Sequence, residues 1–227
     1  MRRSEVQRSG RSPSPLGRAA SAAAAGVVAL LAGVAAEAAG SHFVLEMNQG
    51  LSVPLGYGDG YEAGYGWGMT LGVGFKLKDN PIRFYAIGQF NASSFSGDFE
   101  YNGRRRLVDR AITDVSGGLR LLLPVQGQNL RVFAELSLGQ AQVESSATSP
   151  DLPGRIRIQD ADADVALFTG AGAQWRFSYW FSLGGKADFG FIFDDDEFDA
   201  VTLATTGDGD AGQTGRLNLS LTATLHF

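Results

Sequence analysis

Eight runs of alternating apolar and other residues, an apolar face rich in Phe and Leu, and an opposite face of Gly, Ser and Thr predict an all-β chain. The predicted fold class is an eight-stranded antiparallel transmembrane up-and-down β-barrel, preceded by a cleavable signal peptide. Composition agrees with this. The 227 residues include 31 Gly and only 19% charged side chains, too apolar for a disordered chain and too glycine-rich for a helical bundle. The absence of Cys excludes disulfides, Cys-ligated zinc, iron–sulfur clusters and a thiol nucleophile. Two His are too few for a multi-histidine metal centre, so no metal or cofactor is expected. A net charge of −5 argues against a nucleic-acid partner, whose phosphates require a basic surface.

Residues 1–38 read as an address. Arg2, Arg3, Arg8, Arg11 and Arg18 form a basic opening, and an Ala-rich apolar stretch follows with Val27, Val28, Leu30 and Leu31. Ala36-Glu37-Ala38 supplies the small residues that a signal peptidase accepts, which places cleavage after Ala38. A membrane anchor is the competing reading, because the stretch approaches the ~20 residues a helix needs to cross. Its strong hydrophobes are few, and Arg2-Arg3 lacks the apolar pair of a twin-arginine signal. Sec export is therefore expected, leaving 39–227 as one barrel domain.

From His42 the period is two. In the first run Phe43, Leu45, Met47, Leu51, Val53 and Leu55 oppose Val44, Glu46, Asn48, Gly50 and Ser52. In the second, Trp67, Met69, Leu71, Val73 and Phe75 oppose Gly68, Thr70, Gly72, Gly74 and Lys76. The third, 82–91, is less clean, because Tyr85 and Ile87 interrupt its polar face. The fourth, about 111–123, sets Val115, Leu119 and Leu121 against Ser116, Gly118 and Arg120. The fifth sets Leu130, Val132, Ala134, Leu136 and Leu138 against Arg131, Phe133, Glu135, Ser137 and Gly139. The sixth, 165–175, leaves its phase open. Phe181, Leu183, Ala187, Phe189, Phe191 and Phe193 oppose Ser182, Gly184, Lys186, Asp188 and Gly190 in the seventh. The eighth sets Leu217, Leu219, Leu221, Ala223, Leu225 and Phe227 against Asn218, Ser220, Thr222, Thr224 and His226.

A water-facing surface would be dense in Lys and Glu, whereas the polar faces here carry small residues with isolated charges. Each apolar face extends about ten residues, the length of a tilted strand crossing hydrocarbon. In lipid every backbone N–H and C=O needs a partner within the protein, so strands can cross only as a closed barrel. Connections alternate between short (78–81, 124–129, 177–180) and long (56–66, 92–110, 145–164, 194–215), as in such barrels. Phe43, Phe75, Phe84, Trp175, Phe181 and Phe227 fall at the short-turn ends, and Trp67, Phe90, Phe191 and Phe193 at the long-loop ends, which predicts two aromatic girdles. A secreted sandwich or lipocalin-like barrel is the soluble alternative. It would bury the apolar faces inward.

The last segment, 217–227, has apolar residues at every second position and ends in Phe. It resembles the C-terminal signature of bacterial outer-membrane proteins, here Leu219, Leu221, Ala223, Leu225 and Phe227. With the signal and the eight runs, the chain resembles small barrels of the outer membrane protein A, X and W type. The resemblance implies recognition of that signature by the barrel-assembly machinery, residence in the outer membrane, contact with its lipid and lipopolysaccharide, and a monomer. It also implies a structural, envelope or surface-interaction role without catalysis. A narrow channel for small or apolar solutes and a lipid A-modifying enzyme are the alternatives.

The candidate site is the lumen. Alternation turns Glu46, Lys76, Arg83, Arg120, Arg131, Glu135, Arg176, Lys186 and Asp188 inward, into a barrel that side chains fill. Buried charge requires pairing. The expected network therefore joins Glu135 to Arg120 or Arg131, and Glu46 to Lys186, with Lys76 and Asp188 nearby. Re-pairing of this network would make a gate. Barrel closure brings His42 and His226 to one mouth, but neither has a Ser at His-x-Ser spacing, and two ligands are too few for a metal. In the long loops, Asp160, Asp162 and Asp164, and the cluster from Asp194 to Asp210, are a hydrated acidic surface or a weak Ca²⁺ site without the EF-hand order. Arg104-Arg105-Arg106 is a soluble charge run or a partner for lipid A phosphates. Tyr57, Tyr61 and Tyr65 suit interfacial placement or sugar stacking.

Overall fold

A computed structural model describes residues 42–55, 61–76, 82–101, 104–125, 129–148, 157–193 and 214–227. The expected signal segment 1–38, Tyr57 and the acidic cluster 194–210 lie outside the described residues, as does the side chain of Lys76. Eight strands follow in order: β1 His42–Leu55, β2 Gly64–Lys76, β3 Arg83–Tyr101, β4 Arg104–Pro124, β5 Leu130–Thr148, β6 Arg157–Arg176, β7 Phe181–Phe193 and β8 Thr214–His226. Each pairs antiparallel with its sequence neighbour, and β8 returns to β1 to close the barrel. The seam runs from Leu55↔Gly215 to Val44↔His226, and Phe43 and Phe227 extend it with two backbone hydrogen bonds of 3.2 and 2.9 Å. Where all eight strands pair, the ladder closes on itself and satisfies the backbone of the wall; beyond it, 95–101 of β3 ladder to β4 and 157–164 of β6 to β5.

The faces decide between lipid and water. Leu71, Phe189 and Leu221 are 56%, 40% and 72% exposed, whereas Glu46 is fully buried. A soluble barrel would show the reverse. On this closed wall the apolar belt is the surface that hydrocarbon covers. The open phase of the sixth run is settled too: Ala166, Phe168 and Gln174 are buried inside, and Trp175 is exposed.

Aromatic girdles mark both ends of the belt. At the turn end Phe75 stacks on Phe84 with centroids 5.8 Å apart, and Trp180 tilts against Phe181 at 5.6 Å. At the loop end Trp67 tilts against Phe90 at 5.4 Å. The turn 177–180 is closed by the N–H groups of Phe177 and Ser178 donating to the Phe181 carbonyl.

The long connections need correction. β3, β4, β5 and β6 contain 19, 21, 19 and 20 residues, about twice a membrane crossing, and absorb much of 92–110 and 145–164. Arg104, Arg105 and Arg106 belong to β4, in register with Tyr101, Glu100 and Phe99, not to a loop. Asp160, Asp162 and Asp164 belong to β6, opposite Ser145, Val143 and Ala141. Tyr61 makes an isolated bridge to Gly97, and Tyr65 lies in β2 with its hydroxyl donating to Gln49 at 3.1 Å. The cause is a reversal of pattern. On β3 the outward series Phe84, Phe90, Ala92 gives way to Ser94, Ser96 and Asp98. On β5, Leu136 and Leu138 give way to Gln140, Gln142 and Glu144. The ladder continues where apolar-outward alternation stops.

Candidate functional site: the lumen and its turn-side mouth

Inward side chains form three layers. Nearest the short turns, Val44, Tyr85, Ile87, Leu122 and Phe133 make an apolar cluster. Toward the long connections, Phe95, Ile112, Ala141, Ala166, Phe168 and Ile192 make another, with Tyr61 and Val143 against it. Polar and charged groups fill the middle. The inward glycines make room for the rings of the apolar layers. Gly74 is paired with Tyr85, Gly172 with Phe133 and Gly190 with Phe168, and a Cβ on these glycines would meet the rings at 2.4, 2.4 and 2.9 Å. Each ring thus lies flat over a missing side chain.

The middle layer is tightly paired. Arg120 donates two hydrogen bonds to Glu46, at 2.7 and 2.8 Å, in the fork geometry that guanidinium and carboxylate share. Its Nε reaches Glu135 at 2.6 Å, and its cation lies 4.6 Å from the centre of the Phe133 ring. Glu135 also takes Lys186 at 3.0 Å and the Gln89 amide at 2.7 Å, and Thr224 donates to Glu46 at 3.1 Å. Two carboxylates and two cations balance. Closer to the loop end, Arg216 pairs with Asp114 and donates to Ser93 at 3.1 Å, while Asn91 donates to Asp114 at 2.8 Å. Asn218 donates to Asp188 at 3.2 Å and accepts from Ser52.

Below the inner apolar layer, the turn-side mouth opens into a pocket of about 280 Å³, lined by His42, Arg83, Tyr85, Arg176, Tyr179, His226 and Phe227. Arg176 is held by the carbonyls of the 177–180 turn, donating to Ser178 at 2.9 Å and to Tyr179. Ser182 lies 2.8 Å from Nε2 of His226. Sequence spacing missed this contact because the serine comes from β7, where it pairs with Thr224, and not from the histidine's own strand. Ser182 is fully buried. Among the described residues no group of three His, Asp or Glu is placed to hold a metal ion.

The structure thus brings Glu46, Arg120, Glu135 and Lys186 into one cluster, with partners partly different from those expected. Glu46 takes Arg120 and not Lys186, which turns to Glu135. Arg131 stays out of the cluster. It lies four residues below Glu135 on β5, about 13 Å along the strand, and its Nη1 is buried without a hydrogen bond. Asp188 meets Asn218. Leu219, Leu221 and Phe227 are exposed on the outer wall. Asp114 and Arg216 were missed, although period two, continued from Ser116 and Asn218 by one step, reaches both.

No protein-family model matches the chain, and neither does any curated protein. Solved structures do match. A major outer membrane protein from Thermus thermophilus superposes with a TM-score of 0.57 at 13% identity, over 83% of this chain and 100% of that one. Ail, the attachment invasion locus protein of Yersinia pestis, is 15% identical over 82% of this chain and 97% of its own, with a TM-score of 0.44. The outer membrane protease OmpT from Escherichia coli is 10% identical over 82% and 95%, also at 0.44. At these identities the likeness is one of fold, and the Thermus structure carries it: the chain is a closed eight-stranded barrel of the outer-membrane kind.

Proposed function

We propose that this chain is an integral protein of the bacterial outer membrane, with a structural or surface-interaction role and a lumen that is plugged. In this reading residues 1–38 are a Sec signal, and the outward series Leu219, Leu221, Ala223, Leu225 and Phe227 is what the barrel-assembly machinery reads. The mature barrel is a monomer in contact with lipid and lipopolysaccharide. The observation that carries the proposal is the layering of the lumen: a network of ion pairs and hydrogen bonds between two apolar clusters. An ion entering it meets an apolar layer toward each end and, between them, described charges that are already ion-paired or hydrogen-bonded, which opposes conduction. The extended β3–β6 wall supports a surface role, because its polar outer face rises beyond the lipid belt. In this reading the contact of Ser182 with His226 is structural, because Ser182 is fully buried.

Planar-bilayer recording tests the proposal. A silent barrel is the expected result. Discrete conductance steps that change in Glu135→Gln would replace the plug with a gated narrow channel.

A further inference from the structure

Among the described residues, the cations in the middle of the lumen are paired with carboxylates and those at its mouth are not. Arg83 and Arg176 line the turn-side pocket, and Arg131 lies close enough for both to act on it as like charges. Among the described residues no carboxylate pairs with any of the three. Arg176 spends two donors on turn carbonyls, but Arg131 is more than nine-tenths buried and keeps an Nη1 that donates to nothing. A buried guanidinium N–H without an acceptor is costly, and clustering three cations raises the cost further. An anion in the pocket beside Arg83 and Arg176 offsets the repulsion among the three cations.

We propose that the turn-side mouth is a binding site for a phosphate-bearing group, held by Arg83 and Arg176, which line it, with Arg131 adding positive charge nearby. A tetrahedral phosphate presents several acceptor oxygens at once, which suits two guanidinium groups brought to one pocket by β3 and β6. The imidazoles of His42 and His226 add ring nitrogens to the lining, and Tyr85, Tyr179 and Phe227 offer apolar surface to whatever carries the phosphate. The volume of about 280 Å³ lies just under the range of drug-sized sites, roughly 300–1,000 Å³. It therefore suits a headgroup-sized ligand. Two sources share this chemistry: a phospholipid headgroup from the adjoining leaflet, and a free phosphate ester in the aqueous space below. Neither depends on whether the lumen conducts.

Calorimetry on the full barrel in octyl glucoside, a detergent without phosphate, tests the site with inorganic phosphate, glycerol 3-phosphate and dihexanoyl phosphatidylglycerol as probes. Saturable binding is expected for at least one. Arg83→Gln/Arg176→Gln is expected to weaken it by about tenfold or more, since charge-assisted hydrogen bonds are lost. Binding of the lipid alone assigns the site to a headgroup, and equal binding of glycerol 3-phosphate assigns it to free esters. If the double variant fails to fold, Arg83→Gln alone serves, because that side chain lines the pocket. Wild-type protein that binds none of the three probes, or variants that bind as well as wild type, would overturn the proposal.

Discussion

Leu136 and Gln142 stand six residues apart on the same outward face of β5, and their surroundings are opposite. Leu136 is 57% exposed at the apolar belt, and the residue behind it, Glu135, is buried in the lumen. Gln142 is exposed above the belt and donates to Glu144 at 3.2 Å, and the residue behind it, Ala141, is fully buried. At its middle layer the embedded part of the barrel is apolar outside and polar inside. The extension is polar outside and, through Phe95, Ile112, Ala141 and Phe168, apolar inside. One hydrogen-bonded ladder crosses the change without a break, so backbone pairing does not depend on which face is wet. The medium on each side sets the side chains: hydrocarbon selects Leu outside below, and water selects Gln outside above.

The largest expected effect comes from the polar interior of the embedded part. Arg120→Ala leaves Glu46 and Glu135 buried without the cation that both share, although Lys186 stays with Glu135. Breaking a buried pair costs about 3–5 kcal/mol, and urea titration of the barrel in lipid vesicles would measure it. A loss under about 1 kcal/mol, the value typical of exposed pairs, would mean that water reaches this layer, and would blur the contrast between the two parts.

The outward face gives the sharpest comparison. Leu136→Arg is expected to cost about 2–4 kcal/mol, as arginine does on the lipid face near the midplane. Gln142→Arg on the same face of the same strand is expected to stay within about 0.5 kcal/mol, as at ordinary water-facing sites. The same urea titration reads both. Equal costs would place the upper half of β5 in lipid and remove the reversal.

The reversal also explains what was legible in the sequence. The eight strands and the closure followed from alternation, because hydrocarbon outside and a crowded lumen inside impose opposite preferences on neighbouring residues. The length of β3 to β6 did not follow. Beyond Ala92 and Leu138 the period of two persists but its sign flips, and a search for apolar-outward runs reads the change as a loop. Asn102-Gly103, a strong hairpin signal in the sequence, was the available clue that 92–110 is mostly paired strand, as the register from Ala92↔Thr113 to Tyr101↔Arg104 has it. Partner choice in the lumen was illegible for another reason. Whether Glu46 meets Arg120 or Lys186 depends on which strands face each other across the barrel and how long each side chain is, and alternation carries neither.

The glycines define a smaller effect that separates two explanations of the inner face. Glycine is common on the inward faces, and a lumen that only needed to be narrow would tolerate alanine there. Gly172 is different, because Phe133 of β5 lies directly across from it and a Cβ would come within 2.4 Å of the ring and 2.5 Å of the Gly185 carbonyl oxygen. The ring cannot retreat freely, since the Arg120 cation lies 4.6 Å from its centre. Gly172→Ala should therefore cost about 1–3 kcal/mol, the range of overpacked interiors. Gly88, on the outward face of β3 with nothing within 4 Å of where a methyl would stand, should accept alanine without loss and gain slightly from reduced unfolded-state freedom. Paired urea titrations would read the difference. If both substitutions were neutral, the slots under the rings would be looser than the pairing of Phe133 with Gly172 requires, and the turn-side apolar layer would not seal the lumen.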